Sequence, residues 1–588
     1  MRKINALRAA KTKPELALLL GVKATALTYV LYVLKPDTQY STFTIPKKSG
    51  GLRTICSPSD RLKTIQSALS ELLQDCLDEL TAVKVKENHD YKSNLSHGFL
   101  RNKSIITNAI VHTGQRNVLN LDLKDFFDKF NFGRVRGFFI SNKDFQLNEH
   151  IATVIAQIAC YDNRLPQGSP CSPVITNLIT HILDIKLAAL AESYSCIYSR
   201  YADDITFSTR ERLFPPKLMK EIAGEYIPGK KLRSEIRRAG FEINAPKTRI
   251  QFQDSRQDVT GLVVNKKPNV KSEYWRTVKS QCHSLFRTGS FKKKVDGTFA
   301  DGNIYELEGQ LNFIDQVDYS NRLRQKPPLD TEYEQRKSNI KTRELLSGRE
   351  TTFSRFLYYK FFYANEKPTI ICEGKTDNIY LKSAISSLAA NYPKLATPKS
   401  ANNPYELLVK FFNYNNRTRF LLQLHGGTNY LHTFINDFES HYDFYKAPRP
   451  KQPIIIILDN DSGFNGIDGL LKGKASAKRY PVAKGKKKDF RNANFIHVAH
   501  NLYIVLTPPT ATGGHTAIES LFTAATLNEK VQKKTFNPES KINTTTEYGK
   551  EIFAKKVILA NKKTINFSGF DVILKRVIQC MKHYETAK

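Results

Sequence analysis

Two neighbouring acidic residues interrupt a β-rich run. In YSRYADDITFS (residues 198–208), Asp203 and Asp204 follow Ile197 and Tyr198 and precede Ile205, Thr206 and Phe207, which are β-branched or aromatic. The pattern predicts two strands with the carboxylates at the turn between them. Capping of turn amides is one account of the pair and a metal site is the other. NVLNLDLKDFFDKF (residues 117–130) supplies a further carboxylate. Val118, Leu119, Leu121 and Leu123 predict a buried strand, which Asp122 interrupts with a charge that is costly unless paired or bound to metal. Three carboxylates at two strand ends are a set that can hold two magnesium ions.

LPQGSPCSPVITNLI (residues 165–179) reads as a turn opening an apolar helix, with Gly168 permitting close approach of a substrate and Gln167 offering both donor and acceptor. In the order DLKDFF, LPQGSP, YADD, the chain resembles the reverse transcriptases. The resemblance implies that Asp122, Asp203 and Asp204 are the catalytic carboxylates of a right-hand palm and bind the metal. It also implies that Phe127 is the steric gate that excludes a ribose 2'-hydroxyl. IPKKSGGLRTICSP (residues 45–58) reads as a fingers hairpin, where Lys47, Lys48 and Arg53 flank a Gly-Gly turn and Arg53 is placed to clamp the triphosphate. In GFEINAPKTRI, Lys247 matches the family's proton donor to pyrophosphate.

Two smaller elements narrow the resemblance to retron reverse transcriptases: NAIVH, with Asn108 and His112, and VTG, with Val259, Thr260 and Gly261. That resemblance implies binding to a structured non-coding RNA, priming from a guanosine 2'-hydroxyl, and branched single-stranded DNA as product. Asn108, His112, Val259, Thr260 and Gly261 are expected to contact the RNA. The basic stretch 266–300 carries Tyr274, Trp275 and Phe286 among its cations. It is expected to be a thumb that grips RNA by stacking and by phosphate contacts, including Lys292, Lys293 and Lys294.

Beyond residue 367 the pattern changes. PTIICEG and PIIIILDNDSG are apolar strands ending in acids, with helical sequence between them, as in a doubly wound parallel sheet. A Glu after one strand and a DxD after another resemble the Toprim fold. By that resemblance Glu373 acts in acid/base or metal chemistry, Asp459 and Asp461 bind magnesium, and Glu519 of AIESLF is a further ligand. The EGKTD form, with Thr376 and Asp377, is nearest to the nuclease branch. The basic run at residues 472–490 is a nucleic-acid contact or a loop.

The chain carries 90 Lys and Arg against 56 Asp and Glu, a net charge of +34, so a polyanionic partner is expected. Its eight cysteines show no zinc-like spacing, which suggests a reduced, cytoplasmic protein, and the resemblance to retron enzymes implies a bacterial one. No segment reads as a membrane span; the nearest, ELALLLGVKATALTYVLYVL, is broken by Lys23. The fold class expected is an α+β right-hand polymerase followed by an α/β Toprim domain with a mostly parallel sheet. Its domains are fingers and palm (1–265), basic thumb (266–320), linker or connecting helix (321–366) and Toprim with an insertion and extension (367–588). The expected cofactor is magnesium, two ions at the polymerase site and one or two at the Toprim site. Partners are the cognate RNA, its single-stranded DNA and deoxynucleoside triphosphates; oligomerisation is left open. The rival readings are a nucleic-acid scaffold with a docking module and a non-retron bacterial reverse transcriptase.

Overall fold

The apolar run around Asp122 folds as the inner strand of an antiparallel sheet. In the computed structural model, which describes residues 2–46, 50–87, 95–325, 342–401, 403–482, 489–510, 512–539 and 541–587, the chain divides into two compact units, Met1–Lys271 and Ser272–Lys588. Lys47, Lys48, much of the expected linker and residues 483–488 of the basic run lie outside the described residues.

In the first unit, β1 (Tyr40–Pro46) and β2 (Leu52–Pro58) form an antiparallel hairpin, followed by α1 (Asp60–Glu87) and α2 (Ile105–Val111). The central sheet comprises β3 (Asn117–Asp122), β4 (Ile197–Tyr201), β5 (Asp204–Thr209) and β6 (Arg249–Phe252) in the order β4-β5-β3-β6, with every neighbour antiparallel. Helix α3 (Ser172–Glu192) crosses behind β4, and the short strands β7 (Asp258–Val259) and β8 (Leu262–Val263) close the unit. Among the described residues α3 is the helix long and apolar enough to cross a membrane, yet 67% of its apolar window is buried, as in a core helix. The N-terminal apolar run is instead two helical pieces bent by 112°.

The core of this unit contains a buried charge. Arg200 is fully buried, and its Nε and Nη2 donate to the two oxygens of Asp184 at 2.7 and 2.8 Å. Tyr198 adds a hydroxyl to Asp184 at 2.7 Å, while Arg200 Nη1 donates to the Ala202 carbonyl at 2.9 Å. The pair thus ties α3 to the turn that carries Asp203.

In the second unit, α4 (Ser272–Thr288), the hairpin β9 (Lys292–Val295) and β10 (Thr298–Asp301), α5 (Ile304–Leu323) and α6 (Gly348–Tyr358) precede a six-stranded sheet. Its strands are β11 (Thr369–Cys372), β12 (Lys410–Phe411), β13 (Ile454–Leu458), β14 (Lys478–Tyr480), β15 (Phe495–Ala499) and β16 (Leu502–Leu506), ordered β12-β11-β13-β16-β15-β14. The first four are parallel and the last two antiparallel. Every residue of β13 and β16 is buried, because helices cover both faces of such a sheet. One covered face packs Ile455, Ile457, Tyr503 and Val505 against α7 (Lys375–Ser387) and α8 (Asp571–Ala587).

Two expectations change here. The stretch 321–366, expected as a linker or connecting helix, is from Gly348 onward a helix that belongs to the core: Phe353, Phe356, Tyr358, Phe362 and Tyr363 are buried. Aromatic residues at helical spacing make it a packing surface. Phe286, expected to stack on RNA, is buried among Tyr359, Phe444 and Tyr445 at 5.6–5.8 Å and has no free face to offer. Tyr274 meets Phe313 edge-on, and Trp275 lies under the guanidinium of Arg349.

Arg200→Met should destabilise the protein by about 3–5 kcal/mol, because it strands the Asp184 carboxylate in the core. Adding Asp184→Leu should recover much of the loss. Urea unfolding of the two variants measures both effects.

Candidate active site

Asp122 ends β3 directly opposite Asp204, the first residue of β5. Asp203 lies in the two-residue turn beside Ala202, whose φ is 55°, and its carbonyl accepts the Leu123 N–H at 3.0 Å. Antiparallel register therefore gathers all three carboxylates at one sheet end. Burial and crowding raise the proton affinity of Asp203 and Asp204. Burial, then Asp122, pushes the Asp203 pKa up; burial, then Asp203 and Asp122, pushes Asp204 up to about 7.

Three groups of opposite or neutral character face this cluster. Lys247 Nζ donates to Asp122 Oδ2 and Asn244 Nδ2 to Asp122 Oδ1, each at 2.8 Å. The Lys247 pKa is raised by that hydrogen bond. The exposed Arg53, on β2, is near enough to favour ionised Asp203. Phe127 stands half-buried on the turn after β3, edge-on to Phe126 at 5.5 Å. Among the described residues no three His, Cys, Asp or Glu side chains are already placed to hold a metal ion in common. The chemistry of the donor set nevertheless fits a divalent cation: mutually repelling carboxylates gain a shared counter-charge.

Two glycines shape the surroundings. Gly168 has φ 125°, and a Cβ there would collide with the Cys56 carbonyl oxygen of β2. The close approach is thus made by the chain's own fingers hairpin, not by a substrate as expected; Gln167 joins in through its carbonyl, which accepts the Cys56 N–H at 2.8 Å. A Cβ at Gly98 would lie 2.7 Å from the Ala202 nitrogen. Asn177 Nδ2 donates to the Gly98 carbonyl at 2.6 Å, fixing that segment over the acidic turn.

The motif residues expected to meet RNA occupy the back of the sheet. Asn108, His112 and Val259 are fully buried, which excludes direct RNA contact. His112 bridges both strands of the acidic hairpin: Nε2 to Ser199 on β4 at 2.7 Å and Nδ1 to Ser208 on β5 at 2.6 Å. Ser199 in turn donates to Asn108 Oδ1 at 2.6 Å. Burial pushes the His112 pKa down to about 3, so the imidazole is neutral and serves one strand as donor and the other as acceptor. Thr260 donates to the Ile105 carbonyl at 3.3 Å, linking the β7–β8 turn to α2; Gly261, with φ 85°, is exposed.

A second acidic cluster lies in the second unit, beyond the C-terminal ends of adjacent parallel strands. Glu373 follows β11 and Asp459 follows β13, and the Asp459 N–H donates to Glu373 Oε2 at 3.4 Å. Burial first, then neighbouring carboxylates, pushes Asp459 up to about 8. Burial likewise pushes Glu373 up to about 7. The Asp461 carboxylate accepts the Gly463 N–H at 2.8 Å. Glu519, buried, pairs with Lys550 at 3.0 Å. Asp377 is buried beside them and accepts the Gly374 N–H at 2.7 Å. Lys550 is the member that no sequence motif signalled. Lys292 and Lys293, expected on RNA, are paired instead with Asp301 at 2.7 Å and Glu306 at 2.6 Å; Lys294 is exposed.

Residues 45–271 match the family model described as reverse transcriptase (RNA-dependent DNA polymerase). Among curated proteins, the retron Ec86 reverse transcriptase of Escherichia coli is 34% identical over 294 residues, 50% of this chain and 80% of that one. The retron Mx65 reverse transcriptase of Myxococcus xanthus is 32% identical over 314 residues, 49% of this chain and 67% of that one. A solved structure of apo telomerase from Candida tropicalis, truncated from its C-terminal domain, aligns with TM-score 0.27 and 14% identity over 40% of this chain and 55% of that chain.

Because the folded chain holds the Asp204 proton more tightly than the unfolded chain does, the site costs stability as pH rises above the unfolded carboxylate range. The cost is complete above about 7. Asp204→Asn should therefore raise Tm at pH 8 in EDTA and leave it unchanged near pH 3, as a thermal scan at both pH values would show. His112→Ala should orphan Ser208 and leave Ser199 with Asn108 alone, costing about 1–3 kcal/mol for the stranded buried hydroxyl. It should reduce kcat for nucleotide addition more than RNA affinity, which single-turnover extension and filter binding distinguish.

Proposed function

We infer the chemistry from family membership: the chain belongs to the retron reverse transcriptases. It is an RNA-directed DNA polymerase, and the non-retron alternative falls. The observation that carries the reading of its site is Asp122 facing Asp204 across β3 and β5 with Asp203 in the adjoining turn. In this reading Asp122, Asp203 and Asp204 hold magnesium. When bound, the metal activates the primer 3'-hydroxyl and neutralises charge on the leaving pyrophosphate. Arg53 holds the incoming triphosphate, and Phe127 closes the space beside C2' of its sugar. Lys247, which pairs with Asp122 at 2.8 Å, would be the group that gives a proton to the leaving pyrophosphate. Gln167 and Gly168 anchor the fingers hairpin against the palm.

The finer reading is that this bacterial, cytoplasmic enzyme copies its own non-coding RNA from a guanosine 2'-hydroxyl into branched DNA. The second unit would be a Toprim domain of the nuclease branch, acting as effector in anti-phage defence. Its support is the pair of acids beyond two adjacent parallel strands, the place where α/β sheets keep their sites, together with their raised proton affinity. There Glu373, Asp459 and Asp461 would hold magnesium, with Glu519 and Asp377 behind them. The competing reading is a docking module, favoured by the ion pair that already neutralises Glu519.

Asp203→Asn should abolish DNA synthesis on a primed RNA template while RNA binding persists. Glu373→Gln and Asp459→Asn should leave branched DNA accumulation intact and abolish phage protection. Extension gels, extraction of cellular DNA and plaque counts measure these outcomes. Protection that survives both second-unit substitutions would favour the docking module.

A further inference from the structure

Asn244 stands where an asparagine ordinarily caps a turn, and its side chain does not cap it. Residues Ala245–Lys247 form a single 3-10 turn, and Asn244 is the residue before it. An asparagine in that place commonly spends its side-chain oxygen on the first free N–H groups of the turn. Here the side chain makes no such bond. It points the other way, and Nδ2 donates to Asp122 Oδ1 at 2.8 Å.

The backbone of Asn244 is fixed against the strand end that carries Asp122. The Asn244 N–H donates to the Asp122 carbonyl at 2.8 Å, and the Asn244 carbonyl accepts the Lys247 N–H at 3.1 Å and the Thr248 hydroxyl at 3.0 Å. One residue earlier Ile243 pairs with Leu123 in an antiparallel bridge, and the Lys124 N–H donates to the Glu242 carbonyl at 2.9 Å. Residues 242–244 therefore run alongside the end of β3.

Asp122 is 6% exposed, and each of its oxygens has a donor: Asn244 on Oδ1 and Lys247 on Oδ2. The last torsion of an aspartate is soft, so a carboxylate held at one oxygen alone still rocks about its axis. A donor on each oxygen stops that motion. Lys247 by itself is a weak clamp, because its side chain is 51% exposed and its stem is flexible. Asn244 has a short side chain on a hydrogen-bonded backbone. Its amide is also neutral, so it orients Asp122 and leaves the carboxylate charge for a cation. An ionised carboxylate offers about four acceptor sites, so both donors together leave room for a metal.

We propose that Asn244 is a positioning residue of the polymerase site, whose amide holds the Asp122 carboxylate in one orientation beside Asp204, so that the acids receive a divalent cation without first reorganising. The inference deepens the polymerase reading and rests on these acids being its magnesium site. A ligand oriented in advance loses no further freedom when the metal arrives, which is why the hydrogen-bond partners of metal ligands matter nearly as much as the ligands. If Asn244 served folding alone, its backbone bonds would suffice, and the identity of its side chain would not affect metal affinity.

The test uses the full chain carrying Glu373→Gln and Asp459→Asn, so that the second acidic cluster contributes least to the signal. With no nucleic acid or nucleotide present, Tm is followed as Mg2+ is added, and the concentration giving half of the full rise is read. Asn244→Ala and Asn244→Leu, the second of which keeps the volume and lacks the donor, should each raise that concentration by about 10- to 100-fold. In primer extension, kcat should fall at the magnesium level that half-saturates the parent and recover as magnesium is raised, with KM for the primed template unmoved. Melting in EDTA reports whether each variant folds. A magnesium midpoint unchanged in both folded variants, or a kcat that no magnesium concentration restores, would overturn the proposal; loss of the fold in both would assign Asn244 a structural role instead and overturn it too. A parent chain with neither a magnesium-dependent rise nor primer extension would mark the failure of the polymerase reading itself, a result distinct from an altered parent-to-variant ratio.

Discussion

A guanidinium with no exposed surface holds the acidic turn in place. Arg200 cannot remain charged in the core without Asp184, and Asp184 cannot remain there without Arg200 and Tyr198. Because Asp184 belongs to α3 and Arg200 to β4, satisfying the pair brings that helix behind the sheet. The spare N–H groups of Arg200 reach the Ala202 carbonyl and Asn177, and Asn177 holds Gly98 over the turn. Asp203 is therefore placed by a polar lattice in which no member can be removed without stranding another.

The palm consequently has two polar layers of opposite character. At the open sheet end three carboxylates crowd, and their electrostatic discomfort is what a divalent cation relieves. Behind the sheet, Asn108, His112, Ser199 and Ser208 form a neutral chain that joins both strands of the same hairpin. The neutral layer adds stiffness without adding a charge that would compete for metal or alter the site's potential. Asn108 and His112 of the NAIVH element thus tie together the two strands that carry the acids.

The second unit reaches a comparable crowding by another route. Parallel strands place Glu373 and Asp459 side by side because both strands end at the same edge of the sheet. Lys550 partly neutralises the group through Glu519, whereas Lys247 does so in the palm through Asp122. In each unit a lysine from a later segment offsets part of the charge of the acids.

The three clustered carboxylates, the β1–β2 hairpin, the apolar strands and the acids at their ends were legible in the sequence, because local alternation and turn chemistry act over a few residues. The same local reasoning misjudged Phe286, Gly168 and His112. Each of these owes its role to a partner distant in the chain: Tyr445 for Phe286, Cys56 for Gly168, Ser199 and Ser208 for His112. An aromatic among lysines looks like a stacking platform until tertiary packing consumes its faces, as it does for Phe286. By itself the sequence determined which carboxylates stand at strand ends and that the chain would carry a large positive charge. Only the tertiary structure decided which polar groups are buried and which cations are already paired, because burial and pairing depend on long-range contacts that no local pattern encodes.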